Sequence, residues 1–125
     1  MTDVVLDTNF LLVPHQHGVD IFSEIARVIG PEHRIVTLST VVGELTGLQK
    51  SKSSDGAAAK VALKLIGERD VPVIEASGDA DDSILEYAKA NAAIVGTNDR
   101  GLRNRLKEEG VKVVFMRGKT HLGVL

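Results

Sequence analysis

The sequence predicts a three-layer α/β/α sandwich around a central, mostly parallel sheet of about five strands. Three observations lead there. Short β-branched, apolar runs alternate with stretches whose apolar residues recur at helical spacing, the pattern of βαβ units. The 125 residues, 43% of them hydrophobic, fit one domain over residues 1–125, and a chain of this size buries roughly two thirds of its unfolded surface. The stretch VVLDTNFLLV, residues 4–13, sets Asp7 inside an otherwise apolar run, where an unpaired carboxylate costs several kcal/mol of desolvation. A strand that ends at a cleft resolves that cost.

Val4–Leu6 is short and β-branched and reads as the first, buried strand. Val19, Ile21, Phe22, Ile25, Val28 and Ile29 recur at helical spacing, and Gly30-Pro31 stops that helix. Between them PHQHG reads as a loop whose His15 and His17 are solvated rather than metal-bound. Arg34–Leu38 is the second strand; Ser39 or Thr40 caps a helix that runs to about Lys50 and contains Glu44. KSKSSDG, residues 50–56, is polar and aperiodic, hence a loop. Ala57–Arg69 is an alanine-rich helix and Val71–Glu75 a third strand. Ser77-Gly78-Asp79 turns into a helix over Ala80–Asn91, with Ile84, Leu85, Tyr87 and Ala88 as its apolar positions. Ala92–Gly96 is the fourth strand, and Thr97 or Asn98 caps a helix that Gly110 ends. Val111–Met116 is the fifth strand and RGKTHLGVL a tail.

Composition removes several function classes. Without cysteine there is no disulfide, thiolate metal site or cysteine nucleophile. No apolar run approaches the ~20 residues of a membrane helix, and no signal-peptide pattern opens the chain, so the expected compartment is the cytoplasm and no membrane partner is expected. No G-x-G-x-x-G follows the first strand, which removes a dinucleotide-binding domain. The net charge is only −2, but it is segregated. Residues 68–99 carry eight acids against two bases, and residues 100–121 carry seven bases against two acids. Such asymmetry hints at a polyanionic partner.

In a sheet of this kind ligands bind outside the carboxyl ends of the strands. Asp7 follows the first strand, Asp99 follows the fourth, and Asp81 and Asp82 open the helix after the third. Glu44 sits among Val41, Val42 and Leu45. Carboxylates gathered at one edge repel one another and have raised pKa values unless a cation joins them, and all-oxygen ligands suit Mg²⁺ or Mn²⁺. Phosphodiester hydrolysis is the reaction that most often needs such a cluster. An aspartyl phosphatase carries a second aspartate two residues after the first, where this chain has Asn9, and a phosphoreceiver domain pairs its acids after the first strand.

The motifs VVLDTNFLL, TVVGELTGL, DDSILEYA and AAIVGTNDRGLRNRL, in this order, resemble the PIN-domain ribonucleases, a fold related to the 5′-nucleases. NFLLVPHQHGVDIF is most similar to small archaeal members near the rRNA-processing branch, VapC-type toxins among them. The resemblance implies a metal-dependent endoribonuclease acting on single-stranded RNA. Its acidic quartet would be Asp7, Glu44, Asp82 and Asp99, with Asp7, Asp82 and Asp99 holding Mg²⁺ or Mn²⁺. The family pattern selects Asp82 over Asp81, which would substitute or assist. Asn9 and Thr97 would orient Asp7 and Asp99. Arg100, Arg103 and Arg105 would hold phosphates of a single-stranded or structured RNA beside the cut, with Lys112, Arg117 and Lys119 extending the track.

With one Tyr and three Phe the chain offers few stacking platforms, and Phe10 and Phe22 fit the core. An antitoxin or a ribosome-processing assembly is the expected partner, and a homodimer the expected form, with the apolar segment Leu122–Leu125 either joining that contact or docking on its own domain. The alternative is a catalytically weak RNA- or protein-binding module in a ribosome-processing assembly. The intact acid set argues against it.

Overall fold

The computed structural model describes residues 1–124. Six strands form one sheet: β1 (Thr2–Leu6), β2 (His33–Leu38), β3 (Val73–Ile74), β4 (Ile94–Gly96), β5 (Val113–Arg117) and β6 (His121–Val124). Seven helices connect them: α1 (Thr8–Leu11), α2 (Val13–His17), α3 (Ile21–Ile29), α4 (Ser39–Leu48), α5 (Ser54–Glu68), α6 (Ala80–Asn91) and α7 (Arg100–Glu108). The sheet order is β3-β2-β1-β4-β5-β6. Every pairing is parallel except β5 with β6. Right-handed crossovers then set α1–α5 on one face and α6 and α7 on the other.

The fold class matches the sequence expectation, with three differences. The tail RGKTHLGVL holds a sixth strand, β6, which turns back antiparallel on β5; Leu125 lies outside the described residues. The PHQHG segment is helical: Asp7 caps α1, and Pro14 fits the first turn of α2, where its missing N–H is no loss. KSKSSDG is a bend only as far as Ser53, after which α5 begins. There Gly56 is required: a Cβ would lie 2.0 Å from the carbonyl oxygen of Ser51.

The core is continuous through the central strands. Val4, Val5, Leu6, Val36, Leu38 and Val95 are fully buried between Phe10, Leu11, Ile25 and Leu45 from one helical layer and Ile84, Leu102 and Leu106 from the other. Burying a large aliphatic side chain is worth about 1.5–3 kcal/mol, so these strands are the rigid floor from which the loops at their carboxyl ends project. At the opposite sheet edge Asp3 accepts two bonds from Arg34 (2.9 and 3.1 Å) and one from the Tyr87 hydroxyl (2.6 Å). That clamp ties β1 and β2 to α6.

The sheet ends differently on its two sides. β3 has two residues, with Val73 exposed. On β6, the Leu122 N–H donates to Glu24 Oε1 (3.0 Å) and the Leu122 carbonyl accepts from Arg27 Nη2 (3.1 Å). Glu24 and Arg27 also pair with each other, and these bonds hold the Glu24 carboxyl down at about 2. Two side chains of α3 thus occupy backbone groups that a further strand would use. Among the described residues no helix is long and apolar enough to cross a membrane.

Candidate functional site

From β1 the chain builds outward to β2 and β3, then crosses back to β4 and β5 on the other side. The crevice where that order reverses, at the carboxyl ends of β1 and β4, is where such sheets bind ligands. β1 ends at Leu6 and delivers Asp7; β4 ends at Gly96 and delivers Thr97, Asn98 and Asp99. The two ends are bolted together by the Asp7 N–H, which donates to the Gly96 carbonyl at 3.0 Å. Gly96 permits the approach: a Cβ there would meet Leu6 Cδ2 at 2.9 Å and the Phe10 ring at 3.1 Å.

A polar network runs across this seam. Asp7 is only 3% exposed. Its Oδ1 accepts from the Thr8 N–H (2.7 Å), capping α1, and its Oδ2 accepts from the Thr97 hydroxyl (2.9 Å). Thr97 Oγ1 in turn accepts from the Asp99 N–H (3.1 Å), so one buried hydroxyl sits between the two aspartates. Asn9 Oδ1 accepts from the Asn98 N–H (3.1 Å), and Asn98 Oδ1 accepts from the Met116 N–H (2.8 Å). The cap of α7 is Asp99 itself, through Leu102 N–H at 2.9 Å, rather than Thr97 or Asn98. On α4 no side chain caps the start: the Ser39 hydroxyl bonds Ala76, and the Thr40 hydroxyl pairs with Ser83 (2.8 Å).

Electrostatics shows which acids share the crevice. Burial pushes the Asp7 carboxyl up to about 6; the Thr97 and Thr8 bonds oppose this, while Asp81 and Glu44 add to it. Asp81, half-buried, is also raised, by burial first and then by Asp99, Asp79 and Glu44, with Arg105 opposing. Asp81 is thus the acid that links the set: its charge acts on Asp7, Asp99 and Asp79 act on it, and Glu44 acts on both. Glu44 is exposed and accepts the Thr8 hydroxyl. Asp82 is placed otherwise. It is exposed and its Oδ1 accepts from Arg105 Nη2 at 2.7 Å.

Helical phase explains the sorting of the pair. The face of α6 that packs inward carries Ala80, Ser83, Ile84 and Ala88. At 100° per residue Asp81 flanks that face and Asp82 points away from it. The motif pattern, which selects Asp82, and the packing, which turns Asp81 to the crevice, thus disagree. The apolar periodicity of ADDSILEYA carried the signal. Among the described residues no three acidic or histidine side chains are close enough to chelate an ion as they stand; His15 and His17 are exposed on α2.

The arginines after Asp99 also part company. Arg100 is exposed, Arg105 is engaged by Asp82, and Arg103 is half-buried with its guanidinium 4.9 Å from the centre of the Phe115 ring. Phe115, the third phenylalanine, is partly buried on β5, and no sequence pattern marks it out.

Residues 4–119 match the family model described as a PIN like domain. The chain is 34% identical over 127 residues to ribonuclease VapC4 of Methanocaldococcus jannaschii, covering 99% of this chain and 97% of that one. It is 31% identical over 114 residues to ribonuclease VapC9 of Archaeoglobus fulgidus, covering 90% and 82%. Among solved structures, the PIN domain endonuclease Utp24 superimposes with a TM-score of 0.81 at 21% identity over 98% of this chain and 90% of that one. Rickettsia felis VapBC2 bound to a promoter DNA fragment gives 0.66 at 17% identity, over 93% of this chain and 100% of that one. Six strands in this order, a buried aspartate joined through Thr97 to the residue after β4, and relatives of this identity over nearly their full lengths make the assignment: the chain belongs to the PIN-like domain family.

Proposed function

We propose that the protein is an endoribonuclease of the VapC type, hydrolysing phosphodiester bonds of accessible RNA at the Asp7–Asp99 crevice and held in check by an antitoxin. The observation that carries this reading is Asp7: it is buried, raised to about 6, and bound through Thr97 Oγ1 to the backbone of Asp99. Capping α1 does not account for a carboxylate kept at that cost on the switch point of the sheet, because an uncharged asparagine would cap the helix as well without the burial of a charge. The naming of both similar archaeal proteins as VapC ribonucleases supports the same choice over a ribosome-processing role.

The donor set fits Mg²⁺ or Mn²⁺. It is all oxygen, it is partly dehydrated, and its members repel one another in the absence of a cation. Asp7, Asp81 and Asp99 would hold the ion with Glu44 at the rim; Asp82, engaged by Arg105, is the weaker candidate for the position. When bound, such an ion supplies Lewis-acid polarisation of the phosphodiester and offsets the repulsion among the acids. The protein's own groups do the positioning. Thr97 fixes Asp7 by donating to Oδ2, and Asn9 and Asn98 fix the loop that carries Asp99. Arg100 and Arg103 on α7 would hold RNA phosphates, while Arg105 holds Asp82.

The test is cleavage of a labelled single-stranded RNA in EDTA, Mg²⁺ and Mn²⁺ by wild type, Asp7→Asn, Asp81→Asn and Asp82→Asn. Metal-dependent cutting is expected, lost in Asp7→Asn and reduced more by Asp81→Asn than by Asp82→Asn. Cutting that persists in EDTA would sink the metal reading, and the reverse order for positions 81 and 82 would restore the family pattern.

A further inference from the structure

On the α7 side of the crevice two arginines converge on one ring. The Arg103 guanidinium lies 4.9 Å from the centre of Phe115 and that of Arg117 lies 5.6 Å from it. Neither has a carboxylate partner among the described residues, and Arg103 Nε is buried without an acceptor. The contrast within the molecule is Arg69, which also stacks on a phenylalanine (Phe22, 4.7 Å) but has Asp20 at 3.9 Å. Two unpaired cations at one aromatic ring repel each other, and the ring's quadrupole compensates only in part.

The sheet is shaped to hold this pair. Phe115 faces Gly123 across the β5–β6 ladder, and Arg117 faces His121. A Cβ on Gly123 would lie 2.3 Å from Arg117 Nε and 2.8 Å from its Cδ. The Arg117 side chain therefore lies across the glycine, beside the ring, while the residue stays exposed to solvent. Glycine inside a strand often marks such a close approach. The cluster adjoins the crevice through two bonds: the Arg103 N–H donates to the Asp99 carbonyl one turn back (2.9 Å), and Asn98 Oδ1 holds the N–H of Met116, between Phe115 and Arg117 (2.8 Å).

We propose that Arg103 and Arg117, stacked at Phe115 and seated over Gly123, form a phosphate subsite that grips the RNA backbone next to the cleaved bond. This rests on the nuclease reading above and adds to it the side of the crevice along which the strand runs. Guanidinium suits the task, since a stacked planar fork leaves its edge N–H groups free for bidentate contact with phosphate oxygens.

The experiment is a salt titration of binding to a labelled single-stranded RNA, in EDTA and in the Asp7→Asn background so that no RNA is cut. Each lost phosphate contact lowers the slope of log affinity against log salt by about 0.7 for a single strand. Arg117→Ala is expected to lower it by that amount. Gly123→Ala, which keeps every charge but evicts the guanidinium, is expected to do the same, and Arg69→Ala to leave it unchanged. If RNA binds and neither Arg117→Ala nor Gly123→Ala alters the slope, the subsite is wrong while the nuclease reading stands. If the parent protein binds no RNA, the nuclease reading and the subsite fall together. Binding of a polyglutamate peptide that Arg117→Ala abolishes, with the RNA slope unmoved, would reassign the pair to an acidic protein partner.

Discussion

A single hydroxyl, that of Thr97, joins Asp7 to Asp99. It donates to one aspartate and accepts from the amide of another, so both strand ends answer to it. The buried carboxyl leaves a signature that pH can read. Raised from 3.8 to about 6, Asp7 favours the folded state when protonated. Its contribution is intact below about 3.8 and is lost as pH rises through about 6. The Asp7→Asn protein in metal-free buffer should therefore match wild type near pH 3.8 and outlast it above pH 6, by on the order of 3 kcal/mol at most. Urea denaturation of both proteins across that range checks this; midpoints that stay together at pH 8 would show that Asp7 is not under strain. Asp7 was legible from the sequence because a lone acid in VVLDTNFLLV suits the rim of a cleft and does not suit a core. The choice at Asp81 and Asp82 was not settled by motif, because neighbours in sequence lie 100° apart on a helix and only packing tells which one turns inward.

The elements that were legible are those with an internal period. α3, α5, α6 and α7 fall close to where the spacing of their apolar residues puts them, and so do the central strands. α1 and α2 are too short for a period to show, and they exist because Asp7 caps the first and Pro14 opens the second. β6 has no local signature at all: it is a strand because β5 and the side chains of Glu24 and Arg27 are there to meet it. Two helix ends close on a left-handed residue that is not glycine, Asp70 after α5 (φ 51°) and Ala92 after α6, and the aspartate tolerates that conformation better than the alanine. α6 closes on Ala92 in a left-handed conformation, φ 50° and ψ 42°, where a Cβ is a burden. Ala92→Gly should stabilise the protein by about 0.5–1 kcal/mol, the usual difference at such a C-terminal position. A lower thermal midpoint in that variant would mean that the exposed methyl is packed against something in solution.

At the scale of the whole molecule the sequence conveyed the architecture because alternation of strands and helices leaves few ways to bury both faces of a sheet. It also conveyed the segregation of charge, though not its pairing: Arg105 of the basic block is held by Asp82 of the acidic one, and Lys89 of the acidic block pairs with Glu109 of the basic one. What the fold assembles at the crevice is a net excess of acid, and this makes a global prediction. An ion bound by the folded state alone raises its stability by mass action, so millimolar Mn²⁺ should raise the thermal midpoint of wild type and leave Asp7→Asn nearly unmoved. Calorimetry with and without EDTA measures it. An equal rise in both proteins would place the ion elsewhere on the surface.

The side-chain cover over Leu122 reaches beyond the fold it completes. A guest peptide that recruits itself by lengthening a host's pleated surface needs vacant amides and carbonyls along the outermost chain. On this flank those of Leu122 are already spoken for by a glutamate and an arginine, and on the other flank the host offers only two residues of β3. A designed blocker of this molecule is therefore better drawn as a wedge than as a ribbon.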